Sequence, residues 1–170
     1  MIYKNILRSA GFFTRVFIIV IFTISCSQQS AETNDKNTDR QLLMLKGDQS
    51  AESTVSELIS NSNIREEGFV LIIPTSLRKD DQGAVKLRNQ FYTTGVRAVH
   101  ILNIDLKHGF KKTDIISIEK AEIICFTGKG SKQFFNWSGK SRLPKYIANA
   151  KKNGALIAGR KEVISHLKLQ

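Results

Sequence analysis

The feature that most constrains the fold of this chain is its alternation of short, unbroken apolar runs with longer amphipathic stretches. Five runs rich in β-branched residues have the length typical of parallel strands covered on both faces; they span 42–45, 69–73, 99–104, 122–126 and 155–158. Stretches 53–60, 83–94 and 143–153 place their apolar residues on one helical face, and Gly154 follows the last as a helix stop. The pattern predicts an α/β domain with a doubly wound, mostly parallel sheet of about five strands.

In a sheet of this kind, ligands bind beyond the carboxyl ends of the strands. Four turns follow predicted strands and belong to that edge: 46–49, 74–76, 127–131 and 159–162. We expect any ligand to contact these turns.

The N-terminal 25 residues are predicted to form a bacterial lipoprotein signal peptide. Three basic residues and no acid precede the apolar run 16–24, which is shorter than the roughly 20 residues needed to span a bilayer. Thr23-Ile24-Ser25-Cys26 resembles a lipobox, in which Cys becomes the first mature residue and carries acyl chains, although Thr23 replaces the usual Leu. We therefore expect a lipid, palmitate among its chains, on Cys26 and a location on the outer membrane or the outer face of the cell membrane. An ordinary signal peptide that contains a cysteine is the alternative.

Residues 26–41 are predicted to be a disordered tether, because they contain almost no apolar side chain that could offset chain entropy. The remaining residues, 42–170, have the length of one domain.

Charge and composition exclude several kinds of site. Cleavage after residue 25 removes Lys4, Arg8 and Arg15 and lowers the net charge from +11 to +8, but the basic residues are scattered and no aromatic ladder accompanies them. We therefore expect no nucleic-acid partner. With Cys26 acylated, one cysteine remains, and the three histidines lack metal-ligand spacing, so we expect no disulfide, no metal and no cofactor.

The order of the turns resembles the cyanophycinase and peptidase E family of serine peptidases, which has the fold of class I glutamine amidotransferases. The pieces that carry the resemblance follow one another in the family's order: 42–47, 70–76, 91–95 with 99–104, 118–128 and 154–159. The resemblance implies a nucleophile elbow after the last strand and a substrate-binding turn at Thr127-Gly128.

Departures from the family's pattern imply that catalysis is lost. Active members have Gly-Thr-Ser-Ala-Gly-Ala at the elbow, and its Ser is the nucleophile. Here the elbow begins Gly159-Arg160-Lys161-Glu162, so Lys161 stands at the nucleophile position and the small neighbours of the strained turn are missing. Lys129 replaces the second Gly of the substrate turn, and the family's acid and base partners would follow the point where this sequence stops. The resemblance therefore names no catalytic residue.

Four hypotheses remain open at this point. The first is a silent, lipid-anchored peptidase relative with a binding or scaffold role. The second is an active peptidase for acidic or aspartyl peptides that uses Ser76, Ser131 or Ser165. The third is a site for an acidic peptide, phosphate or carboxylate, with Lys132 beside these candidate residues: Thr127, Gly128, Lys129, Ser131, Arg160 and Lys161. The fourth is a gene fragment, for which the apolar residues at 163, 164, 167 and 169 would have to cover the last part of the core.

Overall fold

The computed structural model describes residues 41–47, 49–64 and 68–169. The predicted signal peptide, the lipidation of Cys26 and almost all of the predicted tether lie outside these residues. No helix in the described ranges has the length and apolar character needed to cross a bilayer.

The five predicted strands form one sheet, and every neighbouring pair is parallel. The strands are β1 (Leu42–Met44), β2 (Phe69–Pro74), β3 (Ala98–Ile101), β4 (Ile123–Thr127) and β5 (Leu156–Gly159), in the spatial order β1-β5-β4-β2-β3. The predicted α/β fold class with a parallel, doubly wound sheet is confirmed.

Six helices connect the strands or follow them. They are α1 (Ala51–Asn61), α2 (Gln82–Thr93), α3 (Lys112–Lys120), α4 (Lys132–Ser138), α5 (Leu143–Lys152) and α6 (Lys161–His166). α1, α2 and α5 match the three predicted helices, with ends that differ by at most two residues, whereas α3 and α4 were not predicted.

The helices cover both faces of the sheet because the chain reverses its direction across the sheet. β3 lies on one side of β2 and β4 on the other, and right-handed crossovers in opposite directions place their helices on opposite faces. α1 and α2 contribute to one core with Val70, Ile72 and Cys125, whereas α3 to α6 contribute to the other with Leu71 and Ile73. Alternate residues of each strand therefore lie in different cores, as the period of two requires.

The C-terminal segment completes the second core. Val163, Ile164, Leu167 and Leu169 are all buried in it. The backbone carbonyl of Leu169 also accepts a hydrogen bond of 2.8 Å from Lys151 Nζ, which ties the segment to α5. The apolar residues that the sequence offered for this purpose are thus the ones that cover this part of the core.

Candidate functional site

Successive strands are added towards one edge of the sheet up to β3 and towards the other edge from β4, so the strand order reverses between β2 and β4. Thr75 joins the turns that follow these two parallel strands. Its side chain is completely buried. Thr75 Oγ1 donates to the Thr127 carbonyl at 2.6 Å and accepts from the Gly130 N–H at 3.0 Å. The backbone of Thr75 also pairs with Thr127 and Ser131. The crevice expected between these two strand ends is therefore closed by a hydrogen-bonded threonine.

A pocket of about 300 Å³ opens beside this junction, at the carboxyl ends of β1, β5 and β4. Gly47, Thr127, Gly128 and Arg160 line it from the strand side, and the N-terminal parts of α1 and α2 line it from the helix side. Its volume is at the lower end of the range for small-molecule sites. Three of the four turns expected at this edge contribute to the pocket.

Positive charge dominates the described lining. Lys46, Lys86 and Arg160 come from three different elements, and none of the described lining residues is acidic. Arg160 Nη2 donates to the Gly47 carbonyl at 2.8 Å, which is the only hydrogen bond of this side chain within the described part of the chain. The guanidinium packs closely on Gly47, since a Cβ at this position would lie 2.5 Å from Arg160 Nη1 and the Arg160 side chain would have to shift. Within the described residues, one bond thus holds the guanidinium at the pocket and uses one of its five N–H groups.

The first turns of α1 and α2 also line the pocket, through Ser50 and Ala51 in one and Gly83 in the other. Ser50 Oγ accepts from the Ser53 N–H, and Asp81 Oδ1 accepts from the Ala84 N–H, so each cap satisfies one donor of its first turn. The other N–H groups of a first turn have no partner within the helix, and the helix dipole places partial positive charge beside them. The helix ends therefore add to the positive potential of the three cations.

The floor of the pocket includes Cys125 and Thr127 of β4. Thr127 Oγ1 is out of contact with solvent and has no hydrogen-bond partner among the residues that the structure describes. Burial raises the pKa of the Cys125 thiol to about 12, so this thiol is not ionised at neutral pH and is not an activated nucleophile. The pocket thus offers donors and cations for binding.

The turn from β5 into α6 has none of the backbone strain of a nucleophile elbow. Arg160 is extended, with φ −67° and ψ 150°, and Lys161 begins α6 directly after it. Leu77 and Lys168 are the residues other than glycine with positive φ in the described ranges, so Lys161 does not have the left-handed geometry. Its side chain is exposed and does not line the pocket. Gly159 serves packing here, since a Cβ would approach Phe126 Cβ at 3.1 Å.

None of the three candidate serines is hydrogen-bonded to a histidine in the described part of the chain. Ser76 Oγ donates to Asp81 Oδ2 at 2.5 Å, and Ser131 Oγ accepts from the Phe134 N–H as the cap of α4. Ser165 is exposed on α6. His166 packs on the ring of Phe135 at 4.7 Å between centroids. A triad requires a nucleophile and a base within hydrogen-bond reach of each other, and none of these three serines forms such a pair with a described histidine.

The structure brings together three of the six candidate ligand residues, because Thr127, Gly128 and Arg160 line the pocket. Lys129, Ser131 and Lys161 do not, and Lys132 also lies outside the lining. Sequence reasoning missed Lys86, which is on α2 one turn beyond the capping residue Asp81. The sequence indicates the position of Lys86 only weakly, because the strand order of the sheet determines which helix lies beside the end of β4.

A scan of the sequence against protein-family models and a search of curated proteins both find no match. Within the described residues no cluster of three or more histidine, cysteine or acidic side chains could hold a metal ion.

Proposed function

We propose that the domain is a non-catalytic binding module whose pocket at the ends of β1, β5 and β4 takes a small anion. The observation that carries the proposal is the convergence of Lys46, Lys86 and Arg160 on one pocket whose described lining contains no acid. Among the described residues that line this concave site, no carboxylate offsets the three cations. A bound anion would neutralise this charge.

The ligand class follows from the donor set. Arginine offers planar, paired N–H groups that match a carboxylate or a phosphate, whereas lysine contributes a point charge. The first turns of α1 and α2 add backbone N–H groups, as at many phosphate and carboxylate sites. With a volume of about 300 Å³, the pocket suits a small molecule or one residue of an acidic peptide that carries such a group.

The test is a calorimetric titration of the full chain with inorganic phosphate and, separately, with succinate. We expect Arg160→Ala and Lys86→Ala each to weaken binding about 10- to 100-fold, because a hydrogen bond to a charged group contributes about 1.5–3 kcal/mol. Lys161→Ala is the matched control, since Lys161 is adjacent to Arg160 but outside the pocket, and we expect it to bind as the parent does.

Two results would contradict the proposal. Equal binding of the anion by the parent and the two pocket variants would mean that the pocket is not the anion site. Loss of binding with Lys161→Ala alone would place the site at the start of α6, outside the pocket. Labelling of a serine by a fluorophosphonate probe, with hydrolysis of aspartyl peptides, would instead favour the active-peptidase hypothesis.

We further propose that the module is carried on the bacterial cell envelope by a lipid on Cys26. The support is the order of basic segment, apolar run and Cys26 followed by a polar stretch. Expression in a bacterium, followed by detergent phase partitioning and mass measurement of the mature N-terminus, tests this proposal. The parent should enter the detergent phase with an acylated Cys26, and Cys26→Ser should not. A parent chain that stays in the aqueous phase without acyl chains would refute the anchor.

A further inference from the structure

A second surface, away from the pocket, combines aromatic side chains with positive charge. Phe110 follows β3, Trp137 belongs to α4 and Tyr146 to α5, and the structure brings the three rings together. Phe110 lies 5.3 Å from Trp137 and 5.8 Å from Tyr146 between ring centroids. All three side chains are only partly buried against the core beneath them.

The charge along α4, α5 and the turn between them has one sign. Between Glu122 and Glu162 the sequence contains nine Lys or Arg residues and no acid. Three of them, Lys140, Arg142 and Lys145, are exposed in the turn between α4 and α5 or in the first turn of α5. Asp114 of α3 is the nearest acid along the chain to Phe110, and its carboxylate accepts a hydrogen bond from the Lys111 N–H.

The local backbone places the basic residues close to the aromatic residues of α4 and α5. The Lys140 N–H donates to the Trp137 carbonyl at 3.1 Å, so Lys140 is one tight turn from the tryptophan. The Tyr146 N–H donates to the Arg142 carbonyl, also at 3.1 Å, which places these two residues on one side of α5. We name this set the aromatic–basic surface: Phe110, Trp137, Lys140, Arg142, Lys145 and Tyr146.

We propose that the aromatic–basic surface is a contact site for a lipid bilayer that contains anionic headgroups. Tryptophan and tyrosine prefer the boundary between headgroups and acyl chains, where an apolar ring body meets a polar tip. Lysine and arginine beside them are attracted by the negative surface potential of anionic lipids. The N-terminal sequence independently predicts that a membrane is close, and a 16-residue tether would keep the domain within a few tens of Å of it.

The ring geometry favours a bilayer over a nucleic acid. Single-stranded nucleic acids are bound by aromatic faces on which successive bases stack. Here Phe110 is tilted by 60° from the ring plane of Trp137 and meets Tyr146 edge to face at 86°. Rings inclined in this way do not form a series of parallel faces for stacked bases, whereas partly buried rings of this kind suit shallow insertion into a bilayer. The proposal does not depend on the anion pocket.

Trp137 is the only tryptophan of the chain, so its fluorescence reports on this surface alone. The full chain is reconstituted into vesicles of phosphatidylcholine, with or without phosphatidylglycerol, that carry a spin-labelled lipid near the headgroup. We expect quenching of Trp137 in the vesicles with phosphatidylglycerol at low salt, much less in neutral vesicles, and reversal at high salt because salt screens the attraction.

Two charge-matched triple variants localise the contact. Lys140→Gln/Arg142→Gln/Lys145→Gln should reduce quenching to the level in neutral vesicles. Gln82→Glu/Asn89→Asp/Arg97→Gln lowers the net charge by the same amount on α2 and the turn after it, and it should quench as the parent does. Circular dichroism of both variants checks that they fold.

Equal quenching in both kinds of vesicle, or unchanged quenching in the first variant, would overturn the proposal. So would a response of Trp137 to a synthetic RNA oligomer but not to vesicles, which would make the surface a nucleic-acid site. If the pocket variants bind phosphate poorly but show normal Trp137 quenching, the bilayer proposal is supported independently of the anion pocket.

Discussion

At the scale of single residues, Thr75 has the largest structural role in the site. Its hydroxyl joins the ends of β2 and β4 through the Thr127 carbonyl and the Gly130 N–H. Gly128 packs directly on the same hydroxyl, because a Cβ at this position would lie 2.9 Å from Thr75 Oγ1. The hydroxyl of this one side chain therefore fixes the turn that forms one wall of the pocket.

We expect Thr75→Val to lower the free energy of unfolding by about 1–3 kcal/mol. Valine has nearly the same shape but leaves the partly buried Gly130 N–H without its acceptor, and one unsatisfied group costs about 1–3 kcal/mol. The Thr127 carbonyl keeps the hydrogen bond from the Thr75 N–H. Urea unfolding followed by circular dichroism measures the loss. Thr75→Ser keeps the hydroxyl and is the control, with a smaller expected loss. Equal stability of the valine variant and the parent would show that the hydroxyl is not needed for the junction.

Asp105 offers a second residue-scale prediction, on the effect of pH. The pKa of its carboxyl is lowered to about 2, first by the hydrogen bond from His108 and then by the backbone N–H groups of Lys107 and His108. The ring nitrogen and the carboxylate are 2.7 Å apart. Because the folded pKa lies below the ordinary value of 3.8, the pairing stabilises this loop above about pH 4. It is lost as the pH falls towards 2.

A carboxyl-carbon NMR titration should therefore place the midpoint of Asp105 near pH 2. His108→Ala should raise that midpoint towards the ordinary aspartate value, and His100→Ala, on β3, should leave it unchanged. A midpoint near 3.8 in the parent would mean that the pairing does not persist in solution.

At the scale of elements, the end of α5 is set by Gly154. This residue has φ +98°, and a Cβ added to it would meet no atom within 4 Å. Substitution by alanine therefore tests the backbone conformation alone, without a clash.

We expect Gly154→Ala to lower the free energy of unfolding by about 1 kcal/mol, because residues with a Cβ are disfavoured in the left-handed region. Gly154→Asn should cost less, since asparagine tolerates that region. Gly139→Ala is the matched control at the end of α4, where the backbone is right-handed at φ −63°. It should be nearly neutral. Equal losses at the two glycines, measured by urea unfolding, would contradict the explanation.

The strands of this domain could be predicted from the sequence more completely than its helices. β2, β4 and β5 were predicted because the central strands of a parallel sheet are short, continuous apolar runs. β1 and β3 lie at the two edges and are only partly buried, but their apolar runs were still recognised. α4 was missed because seven residues give too few turns for a helical period, although Ser131 caps it. Lys111 precedes α3 at the N-cap position and donates its N–H to the Asp114 carboxylate, so the start of this helix lacks the usual Ser or Thr signal.

The candidate site was only partly predictable for a different reason. Turns that follow strands can be read from the sequence, and Thr127, Gly128 and Arg160 were placed at the correct edge. Lys86 could not be, because its position depends on the strand order β1-β5-β4-β2-β3, which no local pattern contains. Nor does the sequence show that Thr75 closes the junction between β2 and β4.

At the scale of the whole molecule, the two cores differ in how they are completed. The core beneath α1 and α2 is formed by residues that end with Ala158 of β5, whereas the other core needs the segment after β5. Val163, Ile164, Leu167 and Leu169 fill it, with no more than 5% of any of these side chains exposed.

Deletion of residues 161–170 from the full chain should therefore abolish cooperative unfolding. Loss of one buried leucine costs about 2–5 kcal/mol, so the loss of four buried apolar residues is comparable with the total stability of a typical domain, about 5–15 kcal/mol. The control is Lys161→Ala/Glu162→Ala/Ser165→Ala, which changes only exposed residues of α6 and should keep a sigmoidal urea transition near that of the parent. Near-ultraviolet circular dichroism, which reports fixed aromatic packing, should be lost in the truncated chain and retained in the control. A truncated chain that still unfolds cooperatively would mean that α6 covers the second core without being required for it.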